Sequence, residues 1–197
     1  GNHIWDRKEF VYQLDRNDRV LRPFNYPPGA PGQGSTIAES HSGHKVAVLC
    51  LQGRTSMPST DCPFRLGKAE VERLREQTPI IFIDFHAEAT AEKVALGWYL
   101  DGLASAIIGT HTHVQTADER ILPQGTAYLT DAGMTGPHDS VIGVQPEQAI
   151  RRFLTQVPTR FKPADKGARF CGVLVDIDPD SGKATHIERL QIEETTT

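Results

Sequence analysis

The chain has 197 residues, 38% hydrophobic and 23% charged, which fits a single globular domain, spanning 1–197, able to bury its own core. A formal net charge of -4 argues against a protein that grips nucleic acid through its backbone, and leaves a small phosphate ester open. Cys50, Cys62 and Cys171 are odd in number and form no CxxC pair; with no membrane-length apolar run and no signal segment, a reducing cytoplasm fits best.

Asp6, with Glu9 three residues on and Phe10, Val11 and Leu14 beyond, predicts a capped helix over Asp6 to Arg16. The Pro- and Gly-rich run from Asn25 to Gly34 is a loop. Thr36 to Glu39 and Lys45 to Gln52 flank the turn signal Ser42-Gly43, so a hairpin is predicted. A second loop holds Met57-Pro58 and Cys62-Pro63, and a surface helix follows over Lys68 to Gln77. Pro79 to His86 is a near-continuous apolar run, the mark of a strand buried on both faces. A helix over Ala91 to Leu100, a strand over Ala104 to His111 and a third over Thr126 to Thr130 make a βαβ pattern. A helix over Pro146 to Leu154 precedes a hairpin of Phe170 to Ile177 and Ala184 to Ile192, turning at Asp178 to Gly182. The fold class is α/β, with parallel and antiparallel strands.

In open α/β sheets, ligand sites gather beyond the carboxyl ends of the strands. His86 closes one buried strand and His111 closes its neighbour, with His113 two residues on. If that backbone stays extended, the period of two puts both rings on one side. A single strand-end histidine is an ordinary hydrogen-bonded residue. Three at one edge would repel if protonated and would each need a partner if neutral, a demand that a divalent cation meets.

Gly1-Asn2-His3, the lone His86 in Phe85-His86-Ala87-Glu88, and Gly109-Thr110-His111-Thr112-His113 follow the order of the GNH, lone-His and GHxH motifs. In this the chain resembles the calcineurin-like metallophosphoesterases. It is most similar to their YmdB-type branch, through Leu51-Gln52-Gly53-Arg54, Ile83 to Thr90, Ala95 to Tyr99 and Thr130 to Pro137. The resemblance covers nearly the whole chain. It implies a layered sandwich of mixed β-sheets flanked by helices and a bacterial phosphodiesterase acting on 2',3'-cyclic or 3',5'-cyclic nucleotides. It implies two metal ions, iron or manganese, bridged by a hydroxide. Asn2, His86 and His111 match ligands of one metal and His113 a ligand of the other. His3 matches the residue that protonates the leaving oxygen or steadies the transition state.

Two local departures stand out. Ile4 occupies the place of the acid that follows the GNH histidine in the wider superfamily, and Asp6, the nearest acid, is expected to cap a helix rather than orient His3. Thr110 separates the glycine from the first histidine of the HxH pair. The family's opening strand with a GDxxG-like motif and its GEN-like motif have no counterpart here, so the chain reads as the C-terminal portion of a longer domain, with N-terminal strands missing. Arg54 is a candidate phosphate contact, and Glu88 and Asp131 are candidate partners for imidazoles. His41, His44, His138 and His186 are expected to be solvated, and Cys50 to lie in the core. The expected partner is a small phosphodiester, with no nucleic acid and no membrane; self-assembly into a homo-oligomer is left open. Competing readings are a phosphomonoesterase of the same superfamily and a non-catalytic metal-binding regulatory module. An amidohydrolase would need its HxH after the first strand of a barrel.

Overall fold

The computed structural model describes residues 1–194. A 3-10 turn, Asn2–Trp5, leads into α1 (Lys8–Leu14). Then come β1 (Ser35–Glu39), β2 (Lys45–Gln52), α2 (Pro63–Arg75), β3 (Ile81–His86), α3 (Thr90–Tyr99) and β4 (Ala106–Thr110). β5 (Arg120–Ile121), β6 (Ala127–Leu129), β7 (Gly136–Pro137), α4 (Pro146–Thr155), β8 (Ala168–Ile177) and β9 (Ala184–Glu193) complete the chain. Among these helices none is long and apolar enough to cross a membrane.

The larger sheet runs β1-β2-β3-β4-β6-β5 and the smaller β7-β8-β9. β2, β3, β4 and β6 are parallel, with β1 and β5 antiparallel at the edges. The smaller sheet is antiparallel throughout. The mixed α/β class, the β1–β2 hairpin, the βαβ unit β3–α3–β4 and the β8–β9 hairpin all match the sequence pattern. Register pairs His86 with Thr110, so β3 and β4 end side by side.

β3 differs from its expected burial on both faces. Ile81, Ile83 and Phe85 are fully buried, whereas Phe82, Asp84 and His86 are only partly so. The first set joins Leu49, Leu51, Val71, Leu74 and Leu96 in the main core. Each such side chain stabilises the fold by roughly 1.5–3 kcal/mol. The second set lies on the face that carries the chemistry.

Two helices start elsewhere than their patterns suggest. α2 begins at Pro63, five residues before Lys68, because proline at the first helical position needs no amide hydrogen. α1 is capped by Arg7 without a side-chain bond. The expected cap, Asp6, is engaged elsewhere: its carboxylate accepts a hydrogen bond from His3.

Candidate metal centre

The carboxyl ends of β3 and β4 deliver His86 and Thr110, and the 3-10 turn brings Asn2 against them. His86 Nδ1 lies 3.0 Å from Thr110 Oγ1, and that hydroxyl donates to Asp84 Oδ1 at 2.7 Å. A hydroxyl whose proton is committed to a carboxylate can only accept, so His86 carries its proton on Nδ1 and Nε2 is a bare lone pair. His86 Nε2 faces Asn2 Oδ1 at 3.2 Å and His111 Nδ1 at 3.1 Å. The other nitrogen of His111, Nε2, lies 3.1 Å from Glu88 Oε2 and donates to it in the neutral ring. His111 Nδ1 is then bare as well. Three lone pairs, from Asn2 Oδ1, His86 Nε2 and His111 Nδ1, are left facing one another with no proton between them.

Electrostatics keep both rings neutral. Burial, reinforced by neighbouring positive charge, holds His86 down to about 3. Burial also lowers His111, with Glu88 opposing. Neutral imidazoles whose second nitrogens are tied to hydroxyl and carboxylate partners are metal ligands in waiting. The donor set therefore fits one metal ion, which Asn2, His86 and His111 would hold. At Gly1 a β-carbon would overlap the His86 ring, so glycine is what lets Asn2 approach.

The structure does not bring His113 into this group. The expected extended HxH is replaced by a tight loop: φ is 105° at His111 and 68° at His113, both in the left-handed region. Each such non-glycine residue costs about 1–3 kcal/mol of backbone strain. The rings diverge in consequence, and His113 Nδ1 donates to the Ile142 carbonyl at 3.1 Å. That bond leaves His113 Nε2 bare and exposed, ready for a ligand of its own. Among the described residues no three His, Cys, Asp or Glu side chains converge on one point. The candidate ligands thus fall into one amide-and-imidazole trio and one separate imidazole.

His3 is oriented after all. The Asp6 N–H donates to the His3 carbonyl at 3.1 Å, folding the chain back so that Asp6 Oδ2 meets His3 Nδ1 at 2.8 Å. An acid three residues on does what an acid at position 4 would do in an extended chain. His3 Nδ1 donates to Asp6, and Nε2 is free to hold or move a proton.

Of the other candidates, Glu88 does contact an imidazole, whereas Asp131 touches none and is buried against Lys93 and Thr112. Arg54 is exposed and its guanidinium donates to Cys62. His41, His44 and His186 are exposed as expected. His138 is only partly solvated: its ring sits between the Gly136 carbonyl and Cys171 Sγ. Cys50 is in the core at 4% exposure. Asp84 and Thr110 escaped the sequence reading; the signal available was a polar residue on each of two adjoining buried strands, in register beside His86.

A YmdB-like family model matches residues 1–190. The chain belongs to the YmdB-like family. It is 52% identical over 192 residues to a 2',3'-cyclic-nucleotide 2'-phosphodiesterase of Bacillus subtilis, covering 98% of this chain and 72% of that protein. A Mycoplasma pneumoniae relative, provisionally named a phosphatase/phosphodiesterase, is 38% identical, with 98% and 70% covered. Among solved structures, a hypothetical protein from Thermus thermophilus superposes with a TM-score of 0.91 at 43% identity, covering 99% of this chain and 75% of that one. A structure from Mycoplasma pneumoniae described as a novel phosphatase gives 0.89 at 37%, with 98% and 70% covered. These likenesses place the fold with phosphatase-type structures, in keeping with a metallophosphoesterase sandwich, and the relatives' names support hydrolase activity in this YmdB-like chain.

Proposed function

We propose that this chain is a metal-dependent phosphodiesterase acting on 2',3'-cyclic nucleotides, with 3',5'-cyclic nucleotides or related small diesters as further substrates. The observation that carries the reading is the trio of lone pairs on Asn2, His86 and His111, which a cation would satisfy together. These three would hold one ion of a two-metal centre, and the bare Nε2 of His113 would serve the other; iron and manganese both suit such mixed nitrogen and oxygen donors. When bound, the ions would acidify a water molecule and neutralise charge on the phosphoryl oxygens. The chain's own residues do the rest. Asp6 fixes His3 with Nε2 outward, where its proton can pass to the leaving oxygen. Thr110 and Asp84 hold His86 in one tautomer, and Glu88 does the same for His111.

The described residues are proposed to form a single metallophosphoesterase domain working in the cytoplasm, a setting that the free thiols of Cys50, Cys62 and Cys171 accord with. The test is hydrolysis of a 2',3'-cyclic nucleotide by the intact protein, set beside a phosphomonoester of the same nucleoside. Chelation should abolish turnover and manganese or iron should restore it, with the diester preferred. His3→Ala should lower kcat by 10²-fold or more, and His113→Ala should remove activity. Unchanged turnover in both variants would sink the reading, and preference for the monoester would make the protein a phosphomonoesterase.

A further inference from the structure

We propose that Asp131, clamped by Lys93, is the positioning residue that sets the His111 and His113 rings in place by holding Thr112 between them. It rests on the metal-centre reading only for what those rings are to do. Both histidines adopt left-handed backbone that their own preferences oppose, so something outside the loop must hold it.

Besides the Met134 N–H, which donates to the His113 carbonyl at 3.2 Å, the main hold is one carboxylate. Asp131 Oδ2 accepts both the backbone N–H of Thr112 at 3.1 Å and its hydroxyl at 2.7 Å. Asp131 Oδ1 accepts the Gly133 N–H at 2.9 Å. The Asp131 backbone exchanges three further bonds with Thr116: its N–H donates to Oγ1 at 2.9 Å, and its carbonyl accepts from the Thr116 N–H at 3.1 Å and hydroxyl at 3.4 Å. The loop is thus gripped before and after His113. Bonds to an ionised acceptor are stronger than neutral ones, so Thr112 is the tightest point of the grip.

Lys93 makes the charge tolerable. Its Nζ donates to the same Oδ2 at 2.7 Å, and both side chains are 1% exposed. A carboxylate taken so far from water stays only where its counter-charge is, and Lys93 is carried by α3 beneath the sheet. At Gly109 a β-carbon would overlap the Thr130 carbonyl, so glycine there lets β4 run close enough to Thr130 for the next residue, Asp131, to reach the loop. The route from α3 to the imidazoles is Lys93, Asp131, Thr112, then His111 on one side and His113 on the other.

The experiment uses Thr112→Val, which removes one donor at nearly constant volume, and Thr112→Ser, which keeps it. In chelator-treated protein, nitrogen-15 spectra should show the His113 ring in one Nδ1–H form in the wild type and in Thr112→Ser. Thr112→Val should show an exchange-averaged mixture, with Tm within about 4 °C of wild type. Manganese titrations should then give at least a 10-fold weaker Kd for Thr112→Val and a value within about twofold of wild type for Thr112→Ser. Unchanged tautomers in Thr112→Val, a Thr112→Ser that behaves like it, or a Tm drop beyond about 8 °C, the mark of a merely structural hydroxyl, overturns the proposal. Loss of the single tautomer in Thr112→Val, in a protein whose wild type takes up no manganese, supports the positioning role and removes the metal-centre reading instead.

Discussion

Lys93 and Asp131 form a buried pair whose energetics can be taken apart. Removing one partner of such a pair typically destabilises by about 3–5 kcal/mol, because the survivor is an uncompensated buried charge. The two ends are unequal. After Lys93→Met, Asp131 keeps three donors, the Thr112 N–H and hydroxyl and the Gly133 N–H, so a loss near the lower end, about 3 kcal/mol, is expected. Asp131→Asn leaves the ammonium of Lys93 at 1% exposure beside a neutral amide whose NH2 group must take the place of an oxygen that accepts either from Gly133 or from Lys93 and Thr112, so about 4 kcal/mol is expected. The double variant has no buried charge at this point. Its loss should fall short of the sum of the singles by at least about 2 kcal/mol. Urea unfolding of the four proteins at constant m-value measures this directly. Additivity within about 0.5 kcal/mol would show that the pair is not electrostatically coupled and would refute the reasoning.

Three further outcomes are expected. Burial holds His86 down to about 3, below its ordinary 6.5, so the unfolded chain binds a proton that the folded one refuses. Stability from this source is complete above pH 6.5 and declines as pH falls toward 3; in metal-free protein the Tm of His86→Asn should fall less steeply than wild type between pH 6.5 and 4.5, and equal slopes would contradict the assignment. Ile142 and Gly143 form a two-residue turn with φ of 46° and 100°, closed by paired bonds between Val141 and Val144, which asks for Asn rather than a β-branched residue. Ile142 is 53% exposed, so Ile142→Asn should raise stability by about 1 kcal/mol in denaturant titrations while the carbonyl that His113 uses is retained; a destabilised variant would mean that the side chain is packed against something. Thr110→Val cuts the link from His86 to Asp84 and should weaken metal affinity 10- to 100-fold in calorimetric titration, whereas an unaltered affinity would show that His86 needs no such support.

Much of the framework was legible in the residues. Apolar runs ending in His86 and near His111 announced adjoining parallel strands, because strands buried in a parallel sheet carry few polar positions and those at their carboxyl ends stand out. The alternation in Phe170–Ile177 and Ala184–Ile192 announced the second hairpin. The helix starts were less legible. Cys62-Pro63 looked like loop, yet proline there opens α2, and Asp6 looked like a cap until His3 competed for its carboxylate. Both misreadings concern residues with two plausible local roles, between which only surrounding contacts choose.

By itself the sequence determined the α/β class, the strand-end placement of His86 and His111, and the motif order that marks the YmdB-like family. Hydrophobic period and local motif depend on neighbours in the chain, so the chain alone carries them. Only the tertiary structure decided that His111 and His113 part company, that Asp6 orients His3, and that Lys93 secures Asp131 from 38 residues away. Tautomers, left-handed loop residues and buried charge pairs depend on which groups meet across the fold, and no periodicity in the sequence records those meetings.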